Sequence, residues 1–254
     1  MKVTAITTPI FHPGDDLFEF IAGSVESLSE RSVLVVTSKI VSYWQGRLVR
    51  FGSEYESVKT FKHELARREA DYYLDPKESK YNLMFTVTNQ TLAVNAGIDE
   101  SNAEDGKLIL WPENPQQCVN EIWDWARDYY GVGELGVTLS DSKTYPLRWG
   151  VTGTCIASCG FEPLFSYVGQ EDLFGYRMKM EKTNVAEALT IAAVLEMGEG
   201  AESKPVAIVD DISNIQFVDH VPSVEELSEL EIALDEDFFE PLLSAVRWKK
   251  GGRP

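Results

Sequence analysis

The stretch GVTLSDS at residues 136–142 joins a short apolar run to a carboxylate and two hydroxyl groups. An apolar run of this length, bounded by polar residues, is typical of a buried β-strand. In an open α/β sheet, a polar residue directly after such a strand faces a crevice at the sheet edge. We therefore predict a strand over residues 135–139 and a functional carboxylate, Asp141, at its end.

Two further segments end on acidic residues in the same way. VNAGID leads to Asp99, and MGEG, after a long apolar helix, contains Glu199. Carboxylate and hydroxyl oxygens are hard ligands that suit magnesium or manganese better than zinc or copper. Asp99, Asp141, Ser142 and Glu199 are therefore predicted to form a divalent metal site. Each of them, taken alone, is equally consistent with a turn or a helix cap.

The rest of the pattern interleaves strands and helices, which predicts a mixed α/β or α+β fold. Helices are expected over residues 16–28, 55–73, 115–130 and 184–197. Strands are expected over residues 2–7, 32–41, 83–88, 91–95, 151–160 and 205–209. We expect residues 1–210 to form a catalytic unit of two lobes. Residues 211–254 should be an acidic extension, a surface helix over 225–243 followed by a loose tail.

The far end of the second predicted strand carries Ser38 and Lys39. Lys39 would be a partner for a nucleotide phosphate, or a lysine that snorkels from the sheet edge. Arg148 lies between Pro146 and Gly150 and could clamp a carboxylate or phosphate, or form a plain surface ion pair. The chain has no GxxxxGK[ST] loop, so a nucleotide would not be held by the common P-loop.

Composition limits the classes of ligand and the compartment. The formal net charge is -18, which argues against nucleic acid as a partner but is compatible with a nucleotide bound through a metal. No apolar run has the length of a membrane span, and the N-terminal residues do not read as a targeting segment. Three cysteines suggest a reducing compartment, so we expect a cytoplasmic protein.

Seven segments, in order, resemble the coenzyme F420-0:L-glutamate ligase (γ-glutamyl ligase) family. They are VLVVTSKIVS, VNAGIDESN, GVTLSDS, LRWGVTG, GQEDLFGYRM, AAVLEMGEG and PVAIV, within residues 33–209. The form SDSKTYPLRWGVTG is closest to a bacterial subgroup named for glutamate ligation in folate metabolism. The resemblance implies a two-lobed ligase fold and an intertwined homodimer.

The resemblance also implies a GTP-dependent amide ligase, with ATP as the alternative nucleotide. Two Mg²⁺ or Mn²⁺ ions would be held by the four predicted ligands, and a potassium requirement is left open. Lys39 and Arg148 would be the catalytic cations. By matching the family motifs, the resemblance also predicts the residues that contact the nucleotide. They are Ser38, Lys39, Asn102, Met197, Gly198, Gly200, Ala201, Glu202 and Ser203.

The motif SYWQGR at residues 42–47 departs from the family's common SKAEGR. Tyr43 and Trp44 instead suggest a surface for a flat ring. We therefore expect L-glutamate to be added to a pterin or folate-type acceptor through an acyl phosphate. The alternatives are ligation of glutamate to coenzyme F420-0, and a non-catalytic paralogue that binds nucleotide and metal.

Overall fold

A computed structural model of the protein describes residues 1–52 and 54–253. The strands are β1 (Lys2–Ile6), β2 (Ser32–Thr37), β3 (Leu48–Val49), β4 (Tyr72–Tyr73), β5 (Phe85–Thr88), β6 (Thr91–Val94), β7 (Leu108–Ile109), β8 (Leu135–Thr144), β9 (Val151–Cys159), β10 (Leu164–Ser166), β11 (Lys182–Asn184), β12 (Val206–Asp210) and β13 (Lys249–Lys250). The α-helices are α1 (Leu17–Ser24), α2 (Ser38–Trp44), α3 (Val58–Glu69), α4 (Pro115–Tyr130), α5 (Val185–Met197), α6 (Val224–Ser228) and α7 (Glu240–Leu243).

The chain divides into two compact units, each built from separate pieces of sequence. Unit 1 contains Met1–Ile10, Asp16–Thr37 and Asn114–Ser223. Unit 2 contains Phe11–Asp15, Ser38–Glu113 and the chain from Val224 onward. The division therefore does not follow the expected boundary at residue 210, because residues from Val224 onward cluster with the middle of the chain.

Unit 1 is built on a mixed sheet with the strand order β1-β12-β2-β8-β9. Strand β2 runs parallel to β8, and the other neighbouring strands are antiparallel. The short strands β10 and β11 form a separate antiparallel pair. Helix α5 packs on this sheet through a buried apolar cluster that includes Val33, Val35, Leu189, Ala193 and Val209. The predicted mixed α/β fold is confirmed.

Helices α4 and α5 begin and end where their sequences indicate. Pro115 opens α4, and Gly131, with φ +66°, ends it. Asn184 caps α5 because its side chain accepts a hydrogen bond from the N–H of Glu187. Gly198 closes α5 with φ +83°. The expected helices at 115–130 and 184–197 are confirmed, with Asn184 as the cap of the second.

Unit 2 contains an antiparallel sheet with the order β13-β4-β5-β6 and a separate β3–β7 pair. Helix α3 is capped at its start by Ser57, whose hydroxyl accepts from the N–H of Thr60 at 3.2 Å. The buried cluster of this unit includes Phe61, Leu65, Met84, Leu108 and Leu110. Helix α3 is shorter at both ends than the expected 55–73.

Two strand predictions are wrong at one end. The expected strand 32–41 stops at Thr37, and Ser38 starts helix α2. Ile40 and Val41 are buried on that helix, and periodicity alone does not separate a short buried helix from a buried strand. The expected strand 135–139 continues to Thr144, because antiparallel pairing with β9 extends beyond its buried part.

The last part of the chain also differs from the expected surface helix and loose tail. Two short helices, α6 and α7, replace one helix over 225–243. Lys249 and Lys250 then pair with Tyr73 and Tyr72 as an edge strand. Pro254 lies outside the described residues. Within the described chain, no helix combines the length and apolar character needed to cross a bilayer.

Candidate active site

Asp99 and Lys39 form a close ion pair in unit 2. Nζ of Lys39 is 2.7 Å from Oδ2 of Asp99. The other carboxylate oxygen accepts hydrogen bonds from the Ser101 hydroxyl (2.9 Å) and from the backbone N–H groups of Glu100 (2.9 Å) and Ser101 (3.2 Å). Lys39 also donates to the Ser101 hydroxyl at 3.3 Å. A carboxylate, an ammonium group and a hydroxyl group therefore form one polar cluster.

The surroundings of Asp99 keep its carboxyl group ionised. Burial acts to raise the pKa of Asp99, but the hydrogen bond and charge of Lys39 and the hydrogen bonds from Ser101 outweigh it. The pKa therefore lies below its ordinary value. The side chain remains 35% exposed, so a ligand can reach it. An ionised, accessible carboxylate has the chemistry of a Mg²⁺ or Mn²⁺ ligand.

Backbone contacts fix the segment that carries Asp99. Asp99 and Ile109 exchange both backbone hydrogen bonds, at 2.9 Å each. Gly97 has φ +69°, and a Cβ at this position would lie 2.1 Å from Nε1 of Trp111. Glycine favours this conformation, and any side chain here would collide with the indole of Trp111. The turn that carries the Asp99 carboxylate is therefore held in place by its backbone contacts.

Ser142 and Glu199 form the corresponding contact in unit 1. The hydroxyl of Ser142 donates to Oε2 of Glu199 at 2.6 Å, although the residues are 57 positions apart. Asp141 precedes Ser142 in β8 and is partly buried. Gly198 ends α5, and Glu199, which directly follows it, reaches β8 through this hydrogen bond. The pair offers oxygen donors of the type that fits a hard divalent ion.

The four predicted metal ligands belong to different units. Asp99 lies in unit 2, whereas Asp141, Ser142 and Glu199 lie in unit 1. Among residues 1–52 and 54–253, no three or more His, Cys, Asp or Glu side chains are grouped so that they could hold a metal ion. The structure thus pairs Lys39 with Asp99 and Ser142 with Glu199, and the complete site stays a prediction.

A family model described as F420-0:Gamma-glutamyl ligase matches residues 5–211. This match covers most of the chain. The chain belongs to this family. The family that the sequence motifs indicated is therefore confirmed.

Curated relatives carry the same name across several organisms. Each is called coenzyme F420:L-glutamate ligase. The Methanopyrus kandleri protein is 33% identical over 205 residues, covering 77% of this chain and 81% of the relative. The Methanosarcina barkeri protein is 32% identical over 225 residues, covering 82% and 86%. The Halorubrum lacusprofundi protein is 33% identical over 237 residues, covering 88% and 90%.

Within this member of the F420-0:gamma-glutamyl ligase family, Tyr43 differs from the expected open ring surface. Its ring is buried. Its hydroxyl donates to the carbonyl of Asn102 at 3.1 Å and accepts from the N–H of Glu104 at 2.8 Å. Tyr43 therefore positions the turn that contains Asn102, whose φ is +58°. Trp44 is partly buried, and its contact with an acceptor stays a prediction.

The segment after α5 folds onto the carboxylate of Glu202. The N–H of Gly200 donates to Oε2 of Glu202 at 2.8 Å. A Cβ at Gly198 would lie 2.5 Å from Cδ of Glu202, so the glutamate fills the space beside that glycine. The Met197 side chain is buried in the core of unit 1, and the predicted contact of Met197 with a nucleotide stays a prediction. The nucleotide contacts of the other five residues, Gly198, Gly200, Ala201, Glu202 and Ser203, stay a prediction.

Two further predicted site residues are Arg148 and Ser38. Arg148 is exposed in the turn between β8 and β9, and its guanidinium donates to the carbonyl of Leu147 at 3.1 Å. Ser38 is buried at the start of α2. The roles of both side chains stay predictions.

Sequence reasoning missed Glu187, the acceptor of a partly buried polar network in unit 1. Its carboxylate contacts the Lys143 ammonium and accepts from the Thr154 hydroxyl at 3.0 Å and the Cys155 N–H at 2.8 Å. The available signal was the spacing Asn184-x-x-Glu187, which resembles a capping box at a helix start. That signal predicts a helix cap and gives no information on the strand partners.

Proposed function

We propose that this protein is a coenzyme F420:L-glutamate ligase that joins L-glutamate to a deazaflavin acceptor through an amide bond. The observation that carries the proposal is the alignment with relatives of that name over 77% to 88% of the chain. The same relatives favour the deazaflavin acceptor over the pterin acceptor expected from SYWQGR. The buried ring of Tyr43 removes part of the basis for the pterin acceptor.

Amide formation between a carboxylate and an amine at neutral pH requires an activated carboxylate. In the proposed reaction, a carboxylate oxygen of the acceptor attacks the γ-phosphorus of GTP or ATP, and the nucleoside diphosphate leaves. The glutamate amine then attacks the acyl carbon of the resulting acyl phosphate. The new C–N bond replaces the C–O bond to phosphate, inorganic phosphate leaves, and the amine proton passes to solvent. The protein must bring three charged substrates together, with the attacking and leaving oxygens in line at the γ-phosphorus.

The described contacts support roles for the charged residues of each unit. We assign Asp99 of unit 2, and Asp141, Ser142 and Glu199 of unit 1, to hold divalent ions, because carboxylate and hydroxyl oxygens suit Mg²⁺ or Mn²⁺. A bound divalent ion would neutralise negative charge on the transferring phosphoryl group. Lys39 is held at its ammonium group by Asp99, and we assign it to orient a phosphate. Arg148 would orient a substrate carboxylate.

A homodimer is part of the proposal, because unit 1 exposes large apolar side chains. Leu147 and Trp149, in the turn between β8 and β9, are 96% and 95% exposed. Leu173 and Phe174, between β10 and β11, are 98% and 85% exposed. Contiguous exposed apolar patches mark interaction surfaces in soluble proteins, and we propose that these four side chains contribute to such a patch. A second copy of the chain would cover them.

The test is a direct ligation assay on the purified chain. The reaction contains L-glutamate, Mg²⁺ or Mn²⁺, GTP or ATP, and either F420-0 or pteroate as acceptor. Mass spectrometry should show F420-0 gaining one glutamyl residue, together with release of inorganic phosphate. Product from pteroate alone would make the acceptor assignment wrong. No product from either acceptor would refute the ligase proposal.

Matched variants then test the site. Asp99→Asn and Asp141→Asn each remove one carboxylate charge without changing side-chain size. We expect turnover to fall by about 10²- to 10³-fold, the range for loss of one group that stabilises transition-state charge. Asp128→Asn, an exposed position on α4, is the control and should keep wild-type turnover. Equal turnover in all three variants would exclude the assigned ligands.

A further inference from the structure

Glu187 connects helix α5 with both strands of the β8–β9 hairpin. Its side chain is 18% exposed. On β8 it pairs with Lys143, and on β9 it accepts from the Thr154 hydroxyl and the Cys155 N–H. Its own N–H is held by the side chain of Asn184 at 2.9 Å. The carboxylate is therefore fixed at the first turn of α5 and cannot move independently of the helix.

The Cys155 N–H lies at an irregularity of the strand pair. Leu139 pairs with Ala157, but the next residue, Ser140, pairs with Cys155. One residue of β9, Ile156, is thus left without a partner, which is a β-bulge. Bulges re-aim the side chains that follow them. Here the residue that directly follows the shifted pair on β8 is Asp141.

Two further contacts attach α5 to the same hairpin. Gly153, the register partner of Ser142, lies so close to α5 that a Cβ would be 2.7 Å from the Val194 side chain and 3.0 Å from the Thr190 carbonyl. Beyond the end of α5, Glu199 accepts the Ser142 hydroxyl. The helix is therefore attached to the hairpin at its first turn, at its middle and beyond its last turn.

We propose that Glu187 is a positioning residue that holds the β9 bulge and Lys143, and thereby fixes Ser142 opposite Glu199 and the backbone of the adjacent Asp141. The inference rests on the proposed function, because it assigns those three residues to the divalent ion. Glu187 itself contacts Lys143, Thr154 and Cys155 and acts on the assigned ligands through these three residues. Its effect is transmitted through the strand register.

Loss of the carboxylate should loosen the register and not merely remove one contact. In Glu187→Gln, an amide NH₂ replaces one carboxylate oxygen that accepted hydrogen bonds. This NH₂ group faces other donors, so a buried donor loses its acceptor. Outer partners that orient metal ligands typically affect metal affinity by about 10- to 100-fold. We expect a weakening of Mn²⁺ binding in this range, with a similar fall in kcat and little change in KM for glutamate.

The experiment compares wild type, Glu187→Gln and the control Glu121→Gln, an exposed position on α4. Mn²⁺ affinity is measured by electron paramagnetic resonance without substrates. Exchange of the Cys155 amide proton is followed by NMR, and turnover is measured in the ligation assay. Glu187→Gln should accelerate Cys155 exchange and weaken Mn²⁺ binding, whereas Glu121→Gln should change neither. If Glu187→Gln does not fold, Lys143→Met and Thr154→Val each remove one partner and should show smaller effects of the same kind.

The outcomes separate the inference from the proposed function. Faster Cys155 exchange with unchanged Mn²⁺ affinity and kcat would make Glu187 merely structural and overturn the inference. A wild type that ligates glutamate and a variant that matches it would overturn the inference alone. A wild type that neither binds Mn²⁺ nor ligates glutamate would refute the proposed function, and the inference with it.

Discussion

Replacing Gly251 by alanine should detach the end of the chain from unit 2. A Cβ at Gly251 would lie 1.8 Å from the carbonyl oxygen of Ala70 and 3.1 Å from that of Arg67. Both atoms belong to the backbone at the end of helix α3, so no side chain can turn aside to make room. The segment that follows β13 must therefore move away from α3.

The cost follows from the hydrogen bonds that this movement breaks. Gly251 donates to the carbonyl of Asp71 and Gly252 to that of Arg67, both at 2.8 Å, and Arg253 donates to Ala70 at 3.4 Å. The Arg67 carbonyl belongs to the last turn of α3, where the carbonyl groups have no hydrogen-bond donor inside the helix. Each of the two short hydrogen bonds contributes about 0.5–1.5 kcal/mol, so the free energy of unfolding should fall by about 1–3 kcal/mol.

Urea denaturation followed by circular dichroism measures this change, and hydrogen exchange locates it. Exchange should accelerate at Lys249–Lys250 and Tyr72–Tyr73, the paired strands β13 and β4. Gly23→Ala is the matched control, because no atom lies within 4 Å of its added Cβ and alanine is favoured in a helix by about 0.5–1 kcal/mol. A free energy of unfolding for Gly251→Ala within about 0.5 kcal/mol of wild type would refute the reasoning.

Three further predictions concern pH, the candidate site and assembly. Burial is the main cause that lowers the pKa of His63, so the unfolded state binds more protons, and stability should decrease as pH falls through the ordinary value of 6.5. In denaturation experiments, the stability of His63→Leu should depend less on pH than that of wild type between pH 7.5 and about 5.5. An equal pH dependence in both proteins would contradict this prediction. Lys39→Met should bind Mn²⁺ at least as tightly as wild type at pH 7, since the ammonium group no longer competes for Asp99, but it should lose turnover. Weaker Mn²⁺ binding by the variant in titration calorimetry would assign Lys39 to the metal site and not to phosphate. Trp149→Glu combined with Leu173→Glu should give a monomer in analytical ultracentrifugation if these side chains form the dimer interface, and an unchanged dimer would place the interface elsewhere.

Helices α4 and α5 could be predicted from sequence because their boundaries are encoded locally. Pro115 and Gly131 delimit α4, and Asn184 and Gly198 delimit α5. These residues act through backbone conformation and capping, which depend on neighbours in sequence. The break between β2 and α2 has no such local marker. Ile40 and Val41 suit a buried strand and a buried helix equally, so tertiary packing decides.

The sequence selects candidate site residues by their type and does not indicate their partners. Asp99, Ser142 and Glu199 could be selected because each follows an ordered apolar element. The contacts of Asp99 with Lys39 and of Ser142 with Glu199 span 60 and 57 positions, respectively, and no spacing rule indicates them. Glu187 was missed for the same reason, since its partners on β8 and β9 depend on a bulge that leaves no sequence signature.

The polar pairs explain how a strongly acidic chain can hold carboxylates ready for a cation. The pKa of Asp99 lies below its ordinary value because, within unit 2, Lys39 compensates the negative charge and Ser101 donates hydrogen bonds to it. A divalent ion arriving at Asp99 would therefore exchange with an ammonium group and not only with water. Lys39, released from the carboxylate, would then be free to bind a phosphate at the same place. The pair would thus couple ion binding to phosphate orientation, and removing either partner should affect the two steps differently.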